Sequence, residues 1–347
     1  MSKTLLIYTG GTIGMMEDPA TGSLMPLNFR DLVNYIPELR RFSSSLEVVA
    51  FEDPIDSSDV SIQSWVRIAE TIEENYDDYS GFVVLHGTDT MAYSASALSF
   101  MLENLAKPVI FTGSQLPIGK LRTDGKENLI TAIEIAGTRR NGEPVIQEVA
   151  ILFDSKLMRG NRTYKFSTEN FDAFSSPNFD ELAEIGIHIL YNYPILLRPQ
   201  GALKVHKKFD AGVGVMKIFP GMSQDFVKAA LNTPNIQSII LETYGSGNAP
   251  KDPAFIALLE DTIARGITVL NVTQCSKGFV EQGLYATSAA LQKIGVIGGA
   301  DMTTEAALTK LMFLMGQGFR GDSLKLHLTT PLRGELTSYV SLGLRAV

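Results

Sequence analysis

The sequence predicts an α/β protein built of two three-layer α/β domains with mainly parallel sheets. Three observations predict it. The 347 residues exceed what one hydrophobic core ordinarily organises. Short apolar runs alternate with segments of helical spacing. A proline-broken stretch interrupts that alternation before it resumes. Strand–helix–strand order implies parallel pairing through right-handed crossovers.

In the N-terminal half, Thr4 to Thr9, Leu46 to Phe51, Phe82 to His86, Pro108 to Thr112 and Glu148 to Asp154 read as short buried strands. Between them, Trp65, Ile68, Ala69 and Ile72 fall on one helical face, with Ser61 placed to cap it. Further helices are expected from about Met91 to Leu105 and from Asp124 to Gly137, where the glycine suits a helix stop. Asn192 to Pro199 carries two prolines and no clear period, and with its flanks reads as a linker. Beyond it, Val213 to Phe219, Ser238 to Leu241 and Ile267 to Val272 read as strands. Helices lie around Asp225 to Leu231, from Asp252-Pro253 to Gly266, and from Thr304 to Met315, the last read as amphipathic and closed by Gly316. The expected organisation is an N-terminal domain over 1–190, a linker over 191–211 and a C-terminal domain over 212–347.

Composition excludes several classes. A net charge of -8 argues against a nucleic-acid partner, which needs a basic face, and against an anionic membrane surface. No stretch approaches the ~18 apolar residues of a membrane span, and the N-terminus lacks the pattern of a secretory signal. The single cysteine, Cys275, allows no internal disulfide and fits a reducing, cytoplasmic compartment. The Asn-x-Thr sequons at Asn161 and Asn271 then read as chance matches. Histidines 86, 188, 206 and 327 are scattered without metal-ligand spacing, so no metal is expected, and nothing calls for an organic cofactor.

In parallel sheets, ligands bind at the carboxyl ends of the strands. One polar segment there is Thr9-Gly-Gly-Thr-Ile-Gly14, where Gly10 and Gly11 permit a tight turn and Thr12 offers a hydroxyl. A second is His86-Gly-Thr-Asp-Thr-Met91. A third is Asp56-Ser-Ser-Asp59. Taken singly, each fits a turn or a helix cap, and a lone lysine such as Lys165 is ordinarily solvated. Jointly, Thr12, Thr88, Asp89 and Lys165 supply a nucleophile, a second hydroxyl, a carboxylate and an amine from neighbouring strand ends, as a hydrolase requires.

TGGTIG followed some seventy residues later by HGTDTM resembles the paired active-site signatures of the L-asparaginases, in particular the bacterial type I, cytoplasmic subgroup. The resemblance extends through Gly113-Ser-Gln-Leu-Pro-Ile118, Arg122-Thr-Asp124, Tyr244 to Ala249 and Val296 to Met302. It implies hydrolysis of the side-chain amide of L-asparagine to aspartate and ammonia through an acyl-enzyme, without metal or cofactor. It implies Thr12 as nucleophile, Thr88 as second hydroxyl supported by Asp89 and Lys165, and substrate held by Gly11, Asp56, Ser57, Ser58, Thr88 and Asp89. Homodimers or homotetramers are implied too.

The physical reading adds to these roles. A threonine hydroxyl needs a neighbour to take its proton. Burial would lower the Lys165 pKa but the Asp89 carboxylate would raise it, so Lys165 suits an orienting group or proton relay better than a free base. Backbone N–H groups around Gly11 and Thr88 are natural oxyanion donors. Two departures from the family pattern stand out. Many members carry a lid tyrosine after TGGTIG. Here Met15 to Pro26 contains none, and Ser23 or Leu24 stands near its place. Some type I enzymes bind a second asparagine through an arginine and a segment matching Thr273 and Cys275. The arginine's position appears as Glu242, which repels a ligand carboxylate, so allosteric activation is expected to be weak or absent.

Other classes fit less well. Gly10 to Gly14 lacks dinucleotide-loop spacing, and Gly113 to Lys120 has five residues between its glycines where a phosphate loop has four. The alternative function is the ammonia-generating subunit of a tRNA-dependent amidotransferase. The acidic charge and the start directly at the first strand count against it.

Overall fold

The computed structural model describes residues 3–17, 24–26, 36–42, 46–283 and 286–338. The chain divides into two compact units, Met1–Lys207 and Lys208–Val347.

In the first unit, chain order runs β1 (Thr4–Tyr8), β2 (Leu46–Ala50), α1 (Ile62–Glu74), β3 (Gly81–Leu85), α2 (Met91–Met101), β4 (Val109–Thr112), α3 (Gly125–Gly137), β5 (Val149–Phe153), β6 (Lys156–Arg159), β7 (Ala183–Ile185) and β8 (Ile189–Tyr191). Among the described residues these strands form one sheet in the order β8-β7-β6-β5-β4-β3-β1-β2. The five strands from β5 to β2 are parallel, and β6, β7 and β8 extend the sheet antiparallel. The reversal at β5–β6 is a two-residue hairpin turn with Asp154 (φ 44°) and Ser155 (φ 62°) both left-handed, the geometry that matches strand twist.

Both residue parities of the central strands are buried. Leu6, Val83, Ile110 and Leu152 pack with Leu129, Ala132 and Ile133 of α3. Leu5, Ile7, Phe82, Val84, Phe111 and Ile151, of opposite parity, are no more exposed. A strand buried on both faces needs a helix layer on each side. On α1, Trp65, Ile68, Ala69 and Ile72 are buried, each large one contributing roughly 1.5–3 kcal/mol. The Ser64 hydroxyl accepts the Ser61 N–H (3.2 Å) at that helix start.

Two expectations for the first unit need correcting. The strand at Leu46 is not buried: β2 is the sheet edge, with Val48 42% and Val49 38% exposed. An apolar run cannot distinguish an edge from a centre. The helix from Met91 does not reach Leu105. It stops at Met101, and Leu102–Glu103 pair antiparallel with Lys204–Val205, so residues within the expected linker add a short strand to the first unit. Asn161 and Asn271, the two sequon asparagines, are fully buried.

The second unit contains β9 (Val213–Lys217), α4 (Gln224–Leu231), β10 (Ser238–Thr243), α5 (Pro253–Ala264), β11 (Thr268–Thr273), α6 (Ala286–Lys293), β12 (Ile297–Gly298), α7 (Thr304–Gly316) and α8 (Gly321–Thr329). Its sheet is parallel in the order β9-β10-β11-β12. The Asp252 carboxylate caps α5 by accepting the Ala254 N–H (2.9 Å), with Pro253 at the first helical position. The α7 helix departs from its amphipathic reading, since Ala306, Ala307, Thr309, Lys310, Leu311, Phe313, Leu314 and Met315 are all buried. Its Lys310 ammonium is fully enclosed and bonded to Glu335 (2.5 Å) and to the carbonyls of Leu328 (3.0 Å) and Thr330 (2.8 Å). Glu335 also accepts the N–H groups of Leu332 and Arg333.

No helix of the described residues is long and apolar enough to cross a membrane.

Candidate active site

Four loops leave the carboxyl ends of adjacent parallel strands in the first unit. The Thr9–Gly14 loop follows β1, Asp56–Asp59 follows β2, His86–Thr90 follows β3, and Gly113–Gln115 follows β4. Register pairs Tyr8 with Leu85 and Leu85 with Thr112, so the first, third and fourth loops start level.

Glycine lets their backbones touch. Gly11 sits at φ 90°, and any Cβ there would collide with the backbone of Gly87. A Cβ on Gly87 would in turn lie 2.5 Å from the Ser57 hydroxyl. Hydrogen bonds close the stack: Ile55 N–H donates to Thr9 O (2.7 Å) and Thr90 Oγ1 to Ser57 O (2.7 Å). Thr12 follows Gly11 at the start of a single 3-10 turn, Thr12–Gly14. The lid stretch, Met15 to Pro26, includes 18–23, which lie outside the described residues.

Lys165 reaches the same strand end from a short antiparallel ribbon, Tyr164–Lys165 against Phe174–Ser175. Its ammonium donates to Thr88 Oγ1 (2.7 Å) and to Asp89 Oδ1 (2.7 Å). The lysine side chain is 13% exposed and the Asp89 side chain 64%, so the pair joins a sheltered cation to an open carboxylate.

Gln115 completes this cluster, and no role was assigned to it from the sequence. Its Nε2 donates to Asn170 O (3.0 Å), which fixes the amide orientation because a carbonyl only accepts. Its Oε1 therefore faces Thr88 Oγ1 at 3.3 Å. With Lys165 as donor, the Thr88 hydroxyl proton is directed to Gln115, an acceptor that cannot act as a base. The Gln115 N–H is held by the Asp124 carboxylate (3.0 Å), whose pKa burial pushes up despite its backbone hydrogen bonds. The sequence signals were its position, three residues past a strand end, and its place in the family-like Gly113–Ile118 segment.

The Asp56–Ser58 loop is ordered internally. Asp56 Oδ1 accepts the N–H (2.9 Å) and hydroxyl (2.8 Å) of Ser58, and these bonds hold its carboxyl below the ordinary range. Ser57 is buried, while Asp56 and Ser58 are exposed. His86, at the end of β3, is buried and hydrogen-bonded on both ring nitrogens.

In the second unit, Thr273 Oγ1 donates to Gly245 O (2.6 Å) and accepts the Cys275 N–H (3.0 Å) at the carboxyl end of β11. Cys275 is an exposed free thiol. The Glu242 carboxylate accepts the Thr304 hydroxyl (2.6 Å). Burial, together with the nearby Glu242 charge, raises the pKa of Glu305.

Comparison with known proteins supplies an independent line. A family model described as "Asparaginase, N-terminal" matches residues 3–196, and one described as "Glutaminase/Asparaginase C-terminal domain" matches 212–326. The chain is 47% identical over 337 residues to L-asparaginase 1 of Escherichia coli, covering 95% of this chain and 96% of that protein. It is 41% identical over 359 residues to the human 60 kDa lysophospholipase, covering 96% of this chain and 61% of that longer protein. The crystal structure of L-asparaginase I from Vibrio cholerae superposes with a TM-score of 0.88 at 42% identity, covering 97% of this chain and 99% of that one.

Proposed function

Because this chain belongs to the asparaginase family, we propose that it hydrolyses the side-chain amide of L-asparagine to L-aspartate and ammonia. The observation that carries the reading is the Lys165 ammonium held 2.7 Å from both Thr88 Oγ1 and Asp89 Oδ1 at a strand end whose backbone packs against that of Gly11. In this reading the Thr12 hydroxyl attacks the amide carbon. The C–N bond breaks, ammonia leaves with the Thr12 proton, and water cleaves the resulting ester, restoring Thr12 and releasing the carboxylic acid. The N–H groups of Gly11 and Thr88 receive the charge that develops on the carbonyl oxygen.

Lys165 supports this chemistry as a cation. An ammonium that already donates to Thr88 and Asp89 orients the hydroxyl and passes protons along the line, in place of serving as a free base. The second oxygen of the open Asp89 carboxylate suits the substrate α-ammonium, while Ser57 and Ser58 offer hydroxyls to its α-carboxylate. Asp56 fixes Ser58. The chain works without metal or organic cofactor and self-associates as a dimer or tetramer. With Glu242 on the strand beside that of Thr273, a second asparagine finds a carboxylate where its own carboxylate needs a cation.

Ammonia release from L-asparagine, L-glutamine and D-asparagine by the purified chain tests the function. Release from L-asparagine by the chain alone supports it, and separates it from a subunit that needs a partner. No release from any of the three defeats it. Thr12→Ala or Thr88→Val variants that keep the wild-type rate would remove the assigned roles while leaving the reaction intact.

A further inference from the structure

His86 is a buried titratable side chain at this strand end to which the proposed reaction gives no part. It is 2% exposed, and burial lowers its pKa to about 4, so at neutral pH the ring carries a single N–H. Its Nδ1 lies 2.7 Å from Gly87 O. A carbonyl can only accept, so the proton resides on Nδ1. Nε2 is then an acceptor, and the Ser94 hydroxyl donates to it (2.9 Å). The Ser94 oxygen in turn receives Trp65 Nε1–H (3.0 Å). Trp65 only donates and Gly87 O only accepts, so every proton in the line from α1 through α2 to the β3 loop has one direction.

The line ends on the peptide unit that joins Gly87 to Thr88. That unit is trans and planar, so its C=O and N–H point in opposite directions. The carbonyl faces the buried imidazole, and the Thr88 N–H therefore points away from it. That N–H donates to no other group among the described residues. Gly87 has no side chain of its own to limit its ψ. The hydrogen bond on its carbonyl is a direct restraint on that plane.

We infer that His86 is a positioning residue: its Nδ1–H pins the Gly87 carbonyl and thereby aims the Thr88 N–H at the substrate carbonyl oxygen. This rests on the proposed amide hydrolysis, and it adds a source of preorganisation carried by a line of three hydrogen bonds in the core. Preorganised donors contribute because they need not turn when charge develops.

Three replacements separate positioning from stability. His86→Asn places an amide nitrogen where Nδ1 stood and keeps the donor. His86→Gln places it where Nε2 stood and loses the donor, and His86→Leu loses both contacts. The assay is kcat and KM for ammonia release from L-asparagine, with Tm measured on each variant. Deleting an oxyanion donor costs on the order of 10²- to 10³-fold, and a donor left unaimed costs part of that. Gln and Leu are therefore expected to lower kcat on the order of 10- to 100-fold, with KM little changed. Asn is expected to recover most of the loss although its Tm falls as far as that of Gln. A Gln variant with wild-type kcat, or kcat values that follow Tm across the three, would overturn the inference. Should the variants not fold, ¹⁵N-histidine spectra of the wild-type protein decide. An Nδ1–H tautomer for His86 is expected, and an Nε2–H tautomer would sink the idea. Wild-type protein that releases no ammonia would instead defeat the proposed function, leaving the tautomer assignment standing.

Discussion

Replacing Lys165 by methionine removes two 2.7 Å hydrogen bonds, and the structure says which one matters. Asp89 is 64% exposed, so its ion pair is screened and contributes at most about 1 kcal/mol. The bond to Thr88 Oγ1 comes from an ammonium only 13% exposed, and a hydrogen bond to a charged group is worth about 1.5–3 kcal/mol. If that bond is fully expressed in the transition state, kcat/KM falls roughly 10- to 150-fold. The assay is a double-mutant cycle on ammonia release with Lys165→Met, Thr88→Val and both together. If Lys165 acts through Thr88, adding Lys165→Met to Thr88→Val costs under about 1 kcal/mol, roughly fivefold, which is the screened Asp89 pair alone. A double variant whose loss equals the product of the two single losses would refute the assignment, and would require Lys165 to touch substrate directly.

Gly11→Ala is expected to abolish activity and lower Tm together, because the added methyl meets the Gly87 backbone at φ 90°. A soluble, active Gly11→Ala enzyme would contradict the packed-loop geometry. Lys310→Met leaves the enclosed Glu335 carboxylate without its cation and should destabilise the second unit by about 3–5 kcal/mol, read from its urea midpoint. Acid should weaken the first unit. His86 titrates at about 4 when folded against an ordinary 6.5, so the unfolded chain takes up a proton that the native one refuses. The resulting stability is complete above pH 6.5 and is lost as pH falls from 6.5 to 4, a change on the order of 3 kcal/mol. His86→Asn should flatten that slope in denaturation midpoints measured across the window. Initial rates should follow a hyperbola in L-asparagine. A sigmoidal curve made hyperbolic by Thr273→Ala would show that the second strand end binds substrate despite Glu242.

Much of this architecture was legible because parallel strands buried on both faces write themselves as uninterrupted apolar runs. TLLIY, FVVL and VAILF could hardly be anything else. Helix limits were legible where chemistry marks them, as at Ser61 and at Asp252-Pro253. The exposed edge at Val48 and Val49 was not, since exposure depends on what lies beside a strand and not on the strand itself. The all-round burial of α7 was hidden by Lys310, which reads as a solvent marker until Glu335, 25 residues on, supplies its partner. The meeting of Lys165 with Thr88 and Asp89 spans 77 and 76 residues. Spacing alone could not have paired them; reading them as one cluster rested on their strand-end placement and on motif resemblance. Gln115 shows the limit most clearly. Its role depends on which way an amide faces, and that is set by the carbonyl of Asn170, which no side-chain pattern reveals.

The buried Lys310–Glu335 pair also sets an order of events during synthesis. The first unit draws its core from residues before 208 and can close while the remainder is still being translated. The second cannot finish until residue 335 has emerged, because Lys310 would otherwise enter the interior with no counter-charge. Asp301 waits longer still, for the N–H and hydroxyl of Thr337 (both 2.7 Å). At ribosomal speeds of roughly 5–20 residues per second, α7 spends about one to five seconds unable to dock. During that interval an apolar helix and the sheet it covers are open to chaperones and to other nascent chains. A stop codon upstream of residue 335 would make the interval permanent, and the product should accumulate as a folded first unit trailing an unfinished second one.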